Sequence, residues 1–348
     1  MALALVGIGS NIGARSAQLN EAVACLRLTA NIEVRAVSRW HETLPIGGPP
    51  GQGAFLNGAL LLETSLAPEA LLQTFADIEN RLGRQRDVRW QARTVDLDLL
   101  LYDNLQTTRP ALSVPHPRFA HRRFVVEPAA EIAPDLIHPA MGWTLARLRD
   151  HLRHAKAYVA IAGPVGCGKT RLAAALAEHF AGRAIEAPPL PASRLAGATS
   201  GRALAWELEL LAERGALLAS RTWPDGVALA VSDFWFDQSL AYGRLRLDAR
   251  EFIELRARYE TLSQAIVPPK LVVLLTAPPA RAGLTRPQPA QASGAERSGD
   301  DQNSPPADRL QRALRGLVGP RSGPVLELSA DDTEMVWAEV VAAVAAMS

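Results

Sequence analysis

The sequence predicts two units, an α+β unit with an antiparallel sheet over residues 1–154 and an α/β unit with a parallel sheet over 155–348. Three observations lead there. Strands and helices in the first half come in an order that suits an antiparallel sheet with helices packed on it. Around 150–157 (Asp-His-Leu-Arg-His-Ala-Lys-Ala) that pattern resets. Beyond it, the apolar run Tyr158–Ala162 enters a glycine-rich loop and then a helix, the opening of a nucleotide-binding α/β domain. A chain of 348 residues is long enough to bury two cores.

In order, residues 3–8 read as a short apolar strand, and 16–28 carry Leu19, Val23 and Leu26 at helical spacing. Residues 32–40 alternate as a strand, 43–53 are loop by their Pro and Gly content, and 54–63 form the next strand. A helix is expected from Pro68, a favoured first helical residue, to Gly83, a favoured terminator. An arginine-rich loop (84–93) then leads into a strand at 94–102. In the second unit a helix is expected over 171–180, and 283–307, nearly free of apolar anchors, is expected to be disordered.

Composition excludes several classes. Lys+Arg 37 against Asp+Glu 36 gives a net charge of +1, without the basic excess of a general nucleic-acid or membrane-surface binder. Only three of the basic residues are lysines (Lys156, Lys169, Lys270), so Lys169 in the glycine-rich loop stands out. Two cysteines, Cys25 and Cys167, make neither a disulfide framework nor a zinc site. The start lacks a signal peptide's basic region, and no apolar run approaches the ~20 residues of a membrane span. A soluble, cytoplasmic protein with no nucleic-acid or membrane partner is expected.

Thr94-Val95-Asp96-Leu97-Asp98-Leu99 is rich in strand formers, yet two acids interrupt it. On a strand, positions i and i+2 share a face, so Asp96 and Asp98 sit side by side and repel unless a cation lies between them. Magnesium held by carboxylates and substrate phosphates meets that need. A solvent-facing strand edge is the alternative. The preceding segment favours the metal, because Arg81, Arg84, Arg86, Arg89 and Arg93 place five arginines within 13 residues. Guanidinium groups bind phosphate oxygens bidentately, and a triphosphate would justify such a cluster.

These residues belong to a longer ordered set. Gly7-Ile8-Gly9-Ser10-Asn11, Thr43-Leu44-Pro45-Ile46-Gly47, Phe55-Leu56-Asn57, Gly83-Arg84-x-Arg86, Arg89-Trp90, Arg93-Thr94-Val95-Asp96-Leu97-Asp98 and Val114-Pro115-His116-Pro117-Arg118 follow one another. Arg122-Arg123-Phe124-Val125-Val126-Glu127-Pro128 and Glu131-Ile132-Ala133-Pro134 continue the series. Over roughly residues 2–152 the chain resembles the 6-hydroxymethyl-7,8-dihydropterin pyrophosphokinases of folate biosynthesis. The resemblance implies a ferredoxin-like α+β fold and transfer of diphosphate from ATP to the pterin hydroxymethyl oxygen, releasing AMP. It implies that Asp96 and Asp98 bind two Mg2+ ions and that Arg84 and Arg93 stabilise phosphate charge. Arg86, Arg89, Trp90, His116 and Arg122 fall where the family contacts ATP or positions its loops. Phe55 and Phe124 would stack on the pterin, and Asn57 would bond its edge, helped by backbone near Thr43 and Ile46. Two departures stand out: Gln91-Ala92 replaces the family's usual Gly-Pro, and the loop before Arg89 is one residue shorter than in some members.

In the second half, Gly163-Pro164-Val165-Gly166-Cys167-Gly168-Lys169-Thr170 lies between a strand and a helix, the context of a phosphate-binding P-loop. With Val231-Ser232-Asp233-Phe234-Trp235-Phe236-Asp237 and Pro268-Pro269-Lys270, it resembles the deoxynucleoside kinases. That implies Glu186 as a base and Asp233 in the magnesium or nucleotide site. The acidic motif is reduced to Ile185-Glu186-Ala187-Pro188, and no lid pattern holds Arg281, Arg286 and Arg297. A nucleoside kinase and a noncatalytic or degenerate nucleotide-binding module are both open, and these departures favour reduced or lost kinase activity. For the first unit, a nucleic-acid binder using the arginine loop is disfavoured by the Asp pair, which would repel a phosphate backbone.

Overall fold

The structure is a computed structural model that describes residues 1–48, 51–83, 93–188, 202–223, 226–276 and 305–347. The chain divides into two compact units: Met1–Ala155 with Gly319–Leu326 and Ala338–Ser348, and Lys156–Val318 with Glu327–Trp337.

In the first unit, β1 (Ala2–Ser10) is followed by α1 (Arg15–Leu28), β2 (Ile32–Val37), β3 (His41–Thr43), β4 (Phe55–Thr64), α2 (Pro68–Arg81) and β5 (Asp96–Tyr102). The sheet order is β2-β4-β1-β5, with β3 also on β4, and every pairing is antiparallel. The run expected as one strand over 32–40 is broken: β2 ends at Val37, and the chain rejoins the sheet at His41. Ser38 accounts for the break, because its hydroxyl accepts the Ala59 amide (2.9 Å) in place of a ladder carbonyl.

α2 starts on Pro68 with Glu69 in its first turn, which suits the positive end of the helix. It buries Leu71, Phe75 and Ile78 along one stripe. With Leu19, Val23 and Leu26 of α1, these cover one sheet face over Val6, Ile8, Leu60, Leu62, Leu97 and Leu99. Gly83 ends the segment at φ +84°, a left-handed position that favours glycine.

After β5 come the hairpin β6 (Thr107–Arg109) and β7 (Leu112–Val114), α3 (Arg123–Ile132), the short pair β8 (Ile137–His138) and β9 (Trp143–Thr144), and α4 (Leu145–His154). The register of β5 on β1 slips by one, pairing Val6 with Leu99 and Leu5 with Leu101. Leu100 is the extra residue of this bulge. Its carbonyl accepts the His116 amide (2.9 Å) and so draws the segment between β7 and α3 to the sheet.

The second unit contains β10 (Tyr158–Ala162), α5 (Lys169–His179), β11 (Arg183–Ile185), α6 (Arg202–Leu217), β12 (Ala230–Ser232), α7 (Gln238–Arg246), α8 (Ala249–Ser263), β13 (Leu271–Thr276) and α9 (Ala307–Arg315). β14 (Val325–Ser329) and α10 (Thr333–Ala346) complete the chain. Its five-stranded sheet has the order β11-β12-β10-β13-β14, and β10, β11, β12 and β13 pair in parallel. β10 and β13 are buried along their whole length, as strands covered on both faces must be. Residues 283–304 of the segment expected to be disordered lie outside the described residues, and its last residue, Ala307, opens α9, with Asp308 in the first turn. Among the described residues, no helix is long and apolar enough to cross a membrane.

Candidate active site

The face of the first sheet away from α1 and α2 holds a cavity of about 280 Å3. Strand register decides what lines it. Gly9 of β1 stands between Asn57 of β4 and Asp96 of β5, and Gly7 stands between Ala59 and Asp98. Partners in an antiparallel pair share a face, so two residues without side chains separate the Asn57 edge from the acids. That space is needed: a Cβ on Gly9 would come within 2.9 Å of the Asn57 Oδ1.

Asp96 and Asp98 alternate with buried Leu97 and Leu99, which turn to the core. Burial and the neighbouring Asp96 charge push the Asp98 carboxyl up to about 7, although Arg122 and Arg93 pull it down. The charge of a divalent cation beside the two carboxylates would remove that repulsion. Arg93 forms an ion pair with Asp96. Its backbone is clamped from both sides: the Arg93 amide donates to the Asn11 side chain (2.6 Å), and the Asn11 amide donates to the Arg93 carbonyl (3.1 Å). The Leu97 amide between the acids donates to buried Glu79 (2.8 Å), which fixes the strand from the core side.

His116, Arg118, His121, Arg122 and Phe124 reach the cavity from the segment between β7 and α3 and from the first turn of α3. Burial, helped by Arg122 and Arg118, lowers His116 to about 4, so it is neutral at pH 7. The Arg118 amide lies 3.2 Å from its Nδ1, which must accept. The proton then sits on Nε2, as a donor. His121, lowered to about 3 chiefly by burial, is also neutral. The Arg122 guanidinium lies 5.7 Å from the Phe124 ring centre, a cation–π contact that holds the arginine beside the aromatic face. Phe55 and Phe124 both line the cavity, and Asn57 donates to the Thr43 hydroxyl (2.8 Å).

A carboxylate pair, guanidinium donors and an aromatic-lined slot within one cavity suit a flat heterocycle joined to a phosphate-transfer centre. The description of one protein family, 7,8-dihydro-6-hydroxymethylpterin-pyrophosphokinase, matches residues 5–134. A 2-amino-4-hydroxy-6-hydroxymethyldihydropteridine pyrophosphokinase from Synechocystis sp. is 43% identical over 149 residues, 43% of this chain and 75% of that protein. The chain belongs to the 7,8-dihydro-6-hydroxymethylpterin-pyrophosphokinase family. Pyrophosphokinases of the same name from Bacillus subtilis (47% identical over 130 residues, 37% of this chain and 77% of that protein) and Methylorubrum extorquens (43% over 137 residues, 39% and 86%) are also similar to it. As a member of this pyrophosphokinase family, the chain is an enzyme of ATP-dependent diphosphate transfer.

Of the residues that sequence reading assigned to the pyrophosphokinase site, the structure brings Thr43, Ile46, Phe55, Asn57, Arg93, Asp96, Asp98, His116, Arg122 and Phe124 to one cavity. Arg84, Arg86, Arg89 and Trp90 lie outside the described residues. Sequence reading did not single out Gly7 and Gly9 as a floor, Gln52, Arg118 and His121 as lining, or Glu339 of α10. Gly7, Gly9 and Arg118 lay inside the recognised motifs. Their alignment with the acids depends on register, which the motifs do not encode.

In the second unit, the loop between β10 and α5 holds Gly163, Gly166 and Gly168, and Lys169 and Thr170 open α5. A Cβ on Gly163, at φ +151°, would lie 2.5 Å from the Leu275 carbonyl oxygen, so the loop passes too close to β13 for any side chain. The Lys169 ammonium donates to the Pro164 carbonyl (2.8 Å), across the loop. Thr170 donates to Asp233 (2.6 Å), and the Ala187 amide donates to the other oxygen of the same carboxylate (2.6 Å). Glu186 is exposed, one residue past β11.

Proposed function

We propose that residues 1–154 carry out the complete reaction inferred for this family: 6-hydroxymethyl-7,8-dihydropterin attacks the β-phosphorus of ATP through its hydroxymethyl oxygen, AMP leaves, and the pterin diphosphate is released. The placement of Asp96 and Asp98 across a glycine floor from Asn57 carries this reading, because the metal-binding acids and the heterocycle-binding edge then share one cavity. Phe55 and Phe124 hold the flat ring, and the Asn57 amide bonds its edge while Thr43 fixes the amide's orientation. Arg93 and Arg122 present guanidinium donors to the phosphates, and neutral His116 adds an Nε2 donor. Asp96 and Asp98 would hold two Mg2+ ions, whose charge would offset that of the transferring group. Arg84, Arg86, Arg89 and Trp90 are assigned to the ATP side by their motif positions. The chain's own contribution is position and charge, which is what phosphate transfer requires most. Purified protein with ATP, magnesium and the pterin alcohol is expected to release AMP in step with pterin diphosphate. AMP release that does not depend on the pterin would refute this reading.

We also propose that the second unit, Lys156–Val318 with Glu327–Trp337, is a P-loop domain that binds a nucleotide and phosphorylates a nucleoside. The Thr170–Asp233 hydrogen bond supports this, because it places a hydroxyl and a carboxylate together at the end of the glycine loop, where a magnesium ion with a nucleotide needs both. Glu186 is the proposed base. On this reading, Lys169→Ala lowers both nucleotide binding and turnover across a panel of deoxynucleosides by at least tenfold. Nucleotide binding with no turnover of any nucleoside would leave a noncatalytic module as the answer.

A further inference from the structure

One wall of the pyrophosphokinase cavity comes from a part of the chain far from the family's matched segment. Residues 338–348 group with the first unit, and Glu339, Ala342, Ala343 and Ala346 line the cavity that holds Asp96, Asp98 and Arg122. Their spacing of three, four and seven puts them on one face of α10. The three alanines let the helix backbone approach closely, so Glu339 is the charged group on that face. Its side chain is only 5% exposed, and its carboxylate accepts a hydrogen bond from the Arg118 guanidinium at 2.5 Å. Glu339 also acts electrostatically on Arg122. Buried Trp143 donates to the Pro320 carbonyl (2.7 Å), so the segment 319–326 is tied to the same unit.

We infer that Glu339 is an internal counter-anion that holds Arg118 until the triphosphate of ATP displaces it, and that it thereby sets the affinity of the site for ATP. The inference rests on the ATP reading of this cavity given above. Arg93, Arg118 and Arg122 converge there, and a largely buried guanidinium without an anion is costly. Glu339 meets that cost in the empty protein. A polyphosphate satisfies the same donors with more charge, but it must first break the Arg118–Glu339 pair, so part of its binding energy is spent on exchange. The matched family segment ends at residue 134, so this carboxylate lies outside it.

Glu339→Gln keeps the size and one acceptor oxygen but removes the charge. It is expected to tighten binding of the Mg2+ complex of a β,γ-methylene ATP analogue five- to tenfold and to lower the KM for ATP equally. kcat should stay within twofold, and the pterin KM should not move. Glu339→Asp, which keeps the charge, is expected to retain the weaker binding. In an Arg118→Gln background the Glu339→Gln gain should vanish, as it must if the two residues act as one unit. In the unaltered protein, saturating analogue is expected to speed amide exchange in 338–347 as the pair opens. Unchanged or weaker analogue binding by Glu339→Gln, or slower exchange in 338–347, would overturn the inference. Analogue binding that tightens without any AMP release would leave it standing while refuting the pyrophosphokinase reading. AMP release by a Glu339→Gln protein whose analogue binding is unaltered would refute the inference alone.

Discussion

Asp98→Asn is expected to lower kcat for AMP release by on the order of 10³-fold, about 4 kcal/mol of transition-state stabilisation, while making the metal-free protein more stable at pH 8. The two effects have one cause. Asp98 stands beside Asp96 on β5, and its carboxyl is pushed up to about 7 by burial and by that neighbouring charge. The folded protein therefore binds a proton at Asp98 more tightly than the unfolded chain, where an aspartate titrates near ~3.9. The sign follows from linkage: between about pH 4 and 7 the metal-free fold loses stability as pH rises, because the ionised form is disfavoured in the native state. The amide removes that penalty, so the variant's advantage in Tm should grow from pH 5 to pH 8. Magnesium should raise the Tm of the unaltered protein more at pH 8 than at pH 6, since only the ionised carboxylate coordinates, and it should raise the variant's Tm far less. Thermal melts at the two pH values, with and without magnesium, read all of these terms. Full turnover by the variant would show that the acid pair does not hold the metal.

Gly9→Ala is expected to raise the pterin KM 10- to 100-fold with little change in ATP-analogue binding. A methyl at this position would sit 2.9 Å from the Asn57 Oδ1, closer than such atoms approach without one of them moving. Asn57 is held by the Thr43 hydroxyl and by its place on the central strand pair β1–β4, so the amide must turn and give up the bond proposed for it to the pterin edge. Losing a buried hydrogen bond costs about 1–3 kcal/mol, which is the stated range of KM. Gly7→Ala serves as the comparison, because its methyl would meet only the Leu100 side chain, at an ordinary 3.5 Å. Equal pterin KM values for Gly9→Ala and the unaltered enzyme would remove Gly9 from the site.

The α+β then α/β order, the start of α2, the end of β5 and the side-by-side acids were legible in the sequence because each depends on local rules. Pro68 and Gly83 mark the ends of a helical segment by their backbone preferences, and alternation on a strand puts Asp96 and Asp98 on one face whatever surrounds them. The break between β2 and β3 was not legible. It depends on Ser38 meeting the Ala59 amide from another strand, and alternation continues through the break undisturbed. The Leu100 bulge was equally hidden, because only the slipped register on β1 exposes the carbonyl that fixes His116.

By itself, then, the sequence determined most of the elements up to β5, the acid pair and the family motifs, all set by neighbours within a few residues or by ordered spacing. The tertiary structure decided that Gly7 and Gly9 floor the cavity between Asn57 and the acids, that Asn11 clamps Arg93, and that Glu339 of α10 meets Arg118. Those pairings join residues 48 to 221 positions apart, from Asn57–Gly9 upward to Glu339–Arg118. Strand register and helix docking choose such partners by the burial and charge they satisfy together, and no local pattern carries that choice.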